Sequence, residues 1–245
     1  MKATSSLANS GVSLRRKAIE RLGTFRYSAI ELLGALIVLF VITPFVELFP
    51  HGDLVEATLL TLVMVSAVLA VGGRGRTMGV ALLLVIPALT AKWANHLRPD
   101  LIHPFFSLLA TMAFFAFVVT LLLRFILRAP RVDANVICAA ISGYLMLGML
   151  WVPAYVMVTQ LSPAAFTISA AASDGRVLSG FDCFYFSFAT LCTVGYGDIT
   201  PVSKAARMLA VMEAITGLFY MAVLISRLVS VYSAAPRPAG EPPAE

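Results

Sequence analysis

The sequence predicts an all-α integral membrane protein, with six transmembrane helices and a re-entrant helix and loop between the last two. Three observations predict it. The 245 residues are 60% hydrophobic and only 13% charged, whereas soluble domains carry roughly 25% charged residues; the mean hydropathy is +0.90. Windows of about 19 residues find apolar stretches near 30–49, 54–72, 78–94, 105–127, 135–160 and 206–233, against the ~20 residues that cross ~30 Å of hydrocarbon. Residues 161–205, between the last two stretches, hold an apolar run too short to span, followed by glycines and an acid.

The N-terminal segment, 1–28, carries Lys2, Arg15, Arg16, Lys17, Arg21 and Arg26. With alternating spans, Arg74, Arg76, Arg124, Arg128, Arg131, Arg227 and Arg237 fall on the same side, and together these make 13 of the 18 basic residues. Basic residues stay on the cytoplasmic side. The chain therefore reads as a multi-pass cell-membrane protein with both termini cytoplasmic. The formal charge of +5 is a topology signal and no sign of nucleic-acid binding. Within the segment, residues 12–26 place Leu14, Ala18, Leu22 and Phe25 at helical spacing among bases, the pattern of an interfacial helix on the inner leaflet; the alternative is a solvated, orienting tail. The first apolar run begins near residue 29, too late for the core of a cleaved leader. Cys138, Cys183 and Cys192 show no metal-ligand spacing, and an odd count argues against a disulfide framework.

Residues 29–127 hold the first four stretches, joined by the short links "PHGD", "GRGRT" and "NHLRPDLIH". Short links make antiparallel neighbours, so this part is a four-helix bundle. The third stretch is short for a span. Glu47, Glu56 and Lys92 fall near the outer face and Glu31 and Arg124 near the inner one, where snorkelling or pairing suffices. The link "RAPRVD", Arg128 to Asp133, contains Pro130, which stops helix from running through.

The unit 134–233 begins with the fifth span, where Pro153 frees a backbone carbonyl and should kink the helix. After an outer loop comes "FDCFYFSFATLC", Phe181 to Cys192. As a helix it reaches about 18 Å, so it dips in and turns back. Asp182 sits where an N-cap or first-turn acid belongs. The C-terminal end, partially negative, then points into the membrane and calls for a cation. "TVGYGD" follows. Irregular backbone at membrane depth survives only inside protein or along a watery path. Gly195 and Gly197 alternate with bulkier residues, and glycine enters left-handed conformations freely. Such an alternation turns successive carbonyls to one side. A dehydrated cation needs oxygens all round, so several copies must surround an axis.

The hexapeptide Thr193, Val194, Gly195, Tyr196, Gly197 and Asp198 resembles the selectivity filter of potassium channels, in which four such loops replace the hydration shell of K⁺ with carbonyl oxygens. The resemblance runs over residues 135–233 and implies a homotetramer in the bilayer. It implies K⁺ coordination by the carbonyls of Thr193, Val194, Gly195 and Tyr196 and by the Thr193 hydroxyl. Tyr185 and Phe186 would brace the Tyr196 ring, and Asp198 would sit at the outer mouth. Two departures concern the filter's support: Cys192 stands where threonine is common, and Ala189 where some members carry an acid.

In the last span, Gly217 occupies the place where the family often has a hinge glycine, with close helix packing as the alternative. Glu213, an acid at membrane depth, is costly there; it either supports the pore helix, replacing the acid missing at Ala189, or rings the cavity. The resemblance has Leu218, Met221, Ile225 and Val229 line the inner pore. Six spans with one pore loop also resemble the voltage-gated layout, but the fourth span has no basic residue before Arg124, so no voltage sensor is expected. The short "RAPRVD" link predicts that each bundle packs on its own pore module. Residues 234–245 are Pro-, Ala- and Glu-rich and read as disordered, without room for a gating domain.

The expected function is passive, K⁺-selective conduction, without catalysis, cofactor or nucleic-acid partner; the gating stimulus is not specified. A poorly selective cation channel is the nearest alternative, left open by Cys192. A K⁺ transporter subunit fits less well, because such transporters repeat the pore loop within a chain. A non-conducting sensor would need an output domain that the tail does not provide.

Overall fold

The computed structural model describes residues 29–48, 52–71, 75–97, 104–169 and 178–233. The segment 1–28 with its interfacial helix, the tail 234–245 and the side chain of Glu47 lie outside the described residues. The chain runs α1 (29–42), a 3-10 turn (Thr43–Leu48), α2 (Gly52–Val71), α3 (Gly75–Leu97), α4 (Pro104–Arg128) and α5 (Ala134–Leu161). A second 3-10 turn (Pro163–Ala165) leads into β1 (Phe166–Ile168), then α6 (Gly180–Leu191), β2 (Ile199–Pro201) and α7 (Lys204–Ser233).

Among the described residues, five helical stretches are long and apolar enough to cross a membrane: Ala29–Val46, Thr77–Ala94, Phe105–Arg128, Ala134–Leu161 and Lys204–Val231. The protein is thus a mostly helical, multi-pass membrane protein. The predicted second span is carried by α2, a helix of 20 residues whose apolar part includes Leu54–Ala70. The third, short as an apolar window, is a helix of 23 residues that passes through Pro87.

Asp133 caps α5, its Oδ1 accepting from Val136 N at 3.0 Å, so the "RAPRVD" link ends in a defined helix start. Across that link α4 packs along α5 over more of its length than along any other element, which seats the bundle on the pore module of the same chain. Lys92 Nζ donates to Glu56 Oε1 at 3.2 Å, pairing two of the outer charges across α2 and α3. Pro153 lies within α5 without ending the helix.

One apolar core joins the bundle to the N-terminal part of α5. A second gathers Trp151, Tyr155, Phe166, Cys183, Phe186 and Ile199, and therefore locks α5, β1, α6 and β2 together around the loop. Within the chain 56% of the α5 window is buried, against 22% for α7. Helix α5 is the internal mast, while α7, like α3 and α4, leaves most of its surface uncovered within the chain.

Strands β1 and β2 form an antiparallel ribbon, Phe166 opposite Pro201 and Ile168 opposite Ile199. Sequence reading did not anticipate it. Three-residue strands offer no alternation to detect, and Pro201 argues against a strand except at an edge, where it lies.

Candidate functional site

The short helix α6 starts with a reciprocal cap. Asp182 N donates to Ser179 Oγ at 3.2 Å, and Ser179 N donates to Asp182 Oδ2 at 2.7 Å, a capping box that satisfies two donors otherwise left without partners. The acid foreseen at the helix start is thus at the third helical position, with Ser179 as the cap.

At the other end α6 stops at Leu191 and the backbone folds back under itself. Thr193 N donates to Thr190 O at 2.9 Å, Val194 N to Ala189 O at 2.8 Å, and Gly195 N to the same Ala189 O at 3.3 Å. Beyond this, φ is positive at Thr193 (55°), Gly195 (56°) and Gly197 (81°). Positive φ at every second residue is the alternation expected of a strand whose successive carbonyls turn to one side. Glycine makes this inexpensive at two positions, while Thr193 accepts a conformation uncommon for a residue with a β-carbon.

The strip is held from outside. Tyr196, 72% exposed within the chain, stacks on Tyr185 with ring centroids 6.2 Å apart and planes 8° from parallel. Tyr185 Oη donates to Asp198 Oδ2 at 2.8 Å, and Ser169 N donates to Asp198 O at 2.7 Å. Phe186 does not brace Tyr196. It lies about 100° further round the helix, buried edge-on against Tyr155 and Phe166 at 5.0 and 5.3 Å. That corrects its expected position: of two adjacent aromatics on one helix, only Tyr185 stands beside the loop.

Behind the strip, Glu213 of α7 is fully buried. Tyr155 Oη donates to its Oε2 at 2.5 Å, and Ser187 Oγ lies 2.5 Å from its Oε1 and 2.9 Å from Gly148 O. Glu213 therefore faces α5 and α6. Tyr144 Oη donates to Leu191 O at 3.2 Å and lies 3.7 Å from the exposed Cys192 Sγ. Tyr220 Oη donates to Ala140 O at 2.8 Å, and Arg227 Nη2 donates to Ala129 O at 2.9 Å. Sequence reading missed Tyr144, Tyr155, Ser187 and Tyr220; the available signal was hydroxyls set in otherwise apolar helices.

A β-carbon at Gly217 would come within 2.8 Å of Leu191 Cδ1 and 3.0 Å of Leu191 O, so this glycine is a close-packing contact between α7 and the end of α6. Leu218, Met221, Ile225 and Val229 are all exposed on α7 within the chain. Among the described residues no cluster of three or more His, Cys, Asp or Glu could hold a metal ion.

Capped short helix, glycine-broken carbonyl strip and flanking spans define a pore-loop ion channel, and an ion channel family model matches residues 145–234. The chain belongs to the potassium channel family. It is 40% identical over 68 residues to two pore potassium channel c of Oryza sativa subsp. japonica, covering 28% of this chain and 14% of that one. Identity to the voltage-gated potassium channel Kch of Escherichia coli is 42% over 53 residues, 22% of this chain and 13% of the relative. Protein LctB of Bacillus caldotenax is 32% identical over 100 residues, 40% of this chain and 74% of the relative. The chain thus spans only about a seventh of the length of the plant and E. coli channels it matches. No solved structure matches it.

Proposed function

We propose that four copies of this chain form a K⁺-selective channel that conducts passively through a shared filter. The observation that carries the reading is the alternating left-handed backbone at Thr193, Gly195 and Gly197. In a four-fold assembly the carbonyls of Thr193, Val194, Gly195 and Tyr196, with the Thr193 hydroxyl, replace the water around K⁺. One strip per chain covers one quarter of the ion's surface, so closed cyclic symmetry is needed. The α6 C-terminus adds partial negative charge facing the ion's path. Around this axis the chain crosses six times, with both termini cytoplasmic. Leu218, Met221, Ile225 and Val229 line the inner pore, and Asp198, held by Tyr185, sits at the mouth.

Reversal potentials of the purified protein in planar bilayers under opposed K⁺ and Na⁺ gradients test the reading. The expected reversal tracks the K⁺ gradient. A reversal midway between the two makes it a poorly selective cation channel, and one that ignores K⁺ ends the proposal.

A further inference from the structure

Three short polar contacts form a chain through Glu213 and Ser187: Tyr155 Oη to Oε2, Ser187 Oγ to Oε1, and Ser187 Oγ to Gly148 O. Each needs its own proton. A carboxylate supplies none, so the ionised form leaves two protons, those of Tyr155 and Ser187, for three contacts. The neutral acid completes the set in one order: Tyr155 donates to Oε2, Oε1–H donates to Ser187 Oγ, and Ser187 donates to the Gly148 carbonyl, which can only accept. All three elements around the site are thereby joined, α5 through Tyr155 and Gly148, α6 through Ser187, and α7 through Glu213.

The surroundings favour the uncharged form. The carboxyl is fully buried, and among the described residues no lysine, arginine or histidine pairs with it. On α5 the titratable groups facing it are Tyr155 and, further along, Tyr144. On α6, Cys183 lies one turn before Ser187 and is buried, while Asp182 is held in the helix cap. Residues 209–217 of α7 hold no other titratable side chain. Every one of these groups is neutral or anionic, and a buried charge without a counter-charge is strongly disfavoured.

We propose that Glu213 is a positioning residue kept as a neutral carboxylic acid, whose proton completes the clamp that fixes α6, and with it the carbonyl strip, between α5 and α7. Ser187 lies four residues before Leu191, where α6 ends and the strip begins. Loss of the Glu213 proton removes one of the three bonds and places an unpaired charge behind the strip. Raising the pH therefore loosens the clamp and lowers conduction. The conduction arm rests on the channel reading above; the protonation arm does not.

Two measurements test it on the full-length protein in lipid. Difference infrared spectroscopy of the wild type across an alkaline titration is expected to show a protonated carboxyl C=O band that disappears as pH rises and is absent from Glu213→Gln. A spectrum in which no such band is lost with the substitution overturns the proposal, whether or not the protein conducts. In bilayers, wild-type K⁺ current is expected to fall reversibly with alkaline pH. Glu213→Gln, which can donate to Ser187 and accept from Tyr155, keeps the neutral-pH current and loses that fall, while Glu213→Ala loses current at every pH. An alkaline fall that persists in Glu213→Gln, or a loss at neutral pH in Glu213→Gln equal to that in Glu213→Ala, overturns the positioning role.

Discussion

Replacing Gly148 with alanine should force α5 and α6 apart. A β-carbon there would collide with three ring atoms of Phe188. That ring is already hemmed in, with Phe40 of α1 at 4.7 Å and Phe184 at 4.9 Å between centroids. Overpacking costs about 1–3 kcal/mol, and a rigid ring held by two others puts this case near ~3 kcal/mol. Alanine returns ~1 kcal/mol of helix propensity over glycine. The net loss is ~2 kcal/mol per chain, roughly a 30-fold shift in the folding equilibrium at 1.4 kcal/mol per tenfold. Equilibrium unfolding in mixed micelles of wild type, Gly148→Ala, Phe188→Leu and the double variant would measure it. Phe188→Leu alone should cost about 1 kcal/mol. Because leucine vacates the space the new methyl needs, the double variant should be more stable than the sum of the singles by at least ~1 kcal/mol. If the two losses simply add, Phe188 is not what fills the notch at Gly148, and the tight seating of α6 on α5 is wrong.

Other outcomes follow from the same geometry. Tyr185→Phe keeps the ring stack on Tyr196 but removes the bond to Asp198. Hydrogen bonds to charged groups contribute about 1.5–3 kcal/mol, and partial exposure brings this to ~1 kcal/mol; single-channel records should show shorter openings at unchanged K⁺ selectivity. Gly195→Ala puts a β-carbon at φ 56°, costing about 1–2 kcal/mol per chain. In the proposed four-chain assembly every filter strand carries it, so reversal potentials should show a loss of K⁺ preference. Activation by voltage should be shallow, since each gating charge supplies about 2.3 kcal/mol per 100 mV and α4 has no basic residue before Arg124; a steep, several-charge conductance–voltage curve contradicts this.

The irregular backbone after α6 was legible because its two glycines have a local reason to be there. Glycine at 195 and 197 permits positive φ, and a twelve-residue run is too short to cross. What the sequence left open were contacts between distant residues. Tyr155 and Glu213 are 58 positions apart, and Tyr144 and Leu191 are 47 apart. A hydroxyl on an apolar helix can turn toward lipid or toward protein, and only the packed helices decide. Tyr185 and Phe186 make the same point at close range. Both suit an aromatic brace, and the 100° turn between neighbours on a helix chooses one. The missing acid at Ala189 concealed a backbone solution, since the Ala189 carbonyl itself accepts from Val194 and Gly195. Gly217 was legible as special, but the contact with Leu191 that makes it so was not.

Three of the polar ties that α7 makes to other parts of its chain, at Glu213, Tyr220 and Arg227, lie seven residues apart each time. Seven residues is close to two helical turns, so the ties run down a single edge like stitches about 10 Å apart. Gly217 lies between the first two. A seam of this kind constrains how the lower end of α7 can swing. Bowing α7 away from α5 would break the stitches one after another, beginning with Arg227 and the Ala129 carbonyl beside it. Pivoting the two helices together about the α4–α5 link keeps the Glu213 and Tyr220 ties, both made to α5, and disturbs only the one from Arg227 to Ala129 of the link. In mechanical terms α5 and α7 are joined as one lever arm.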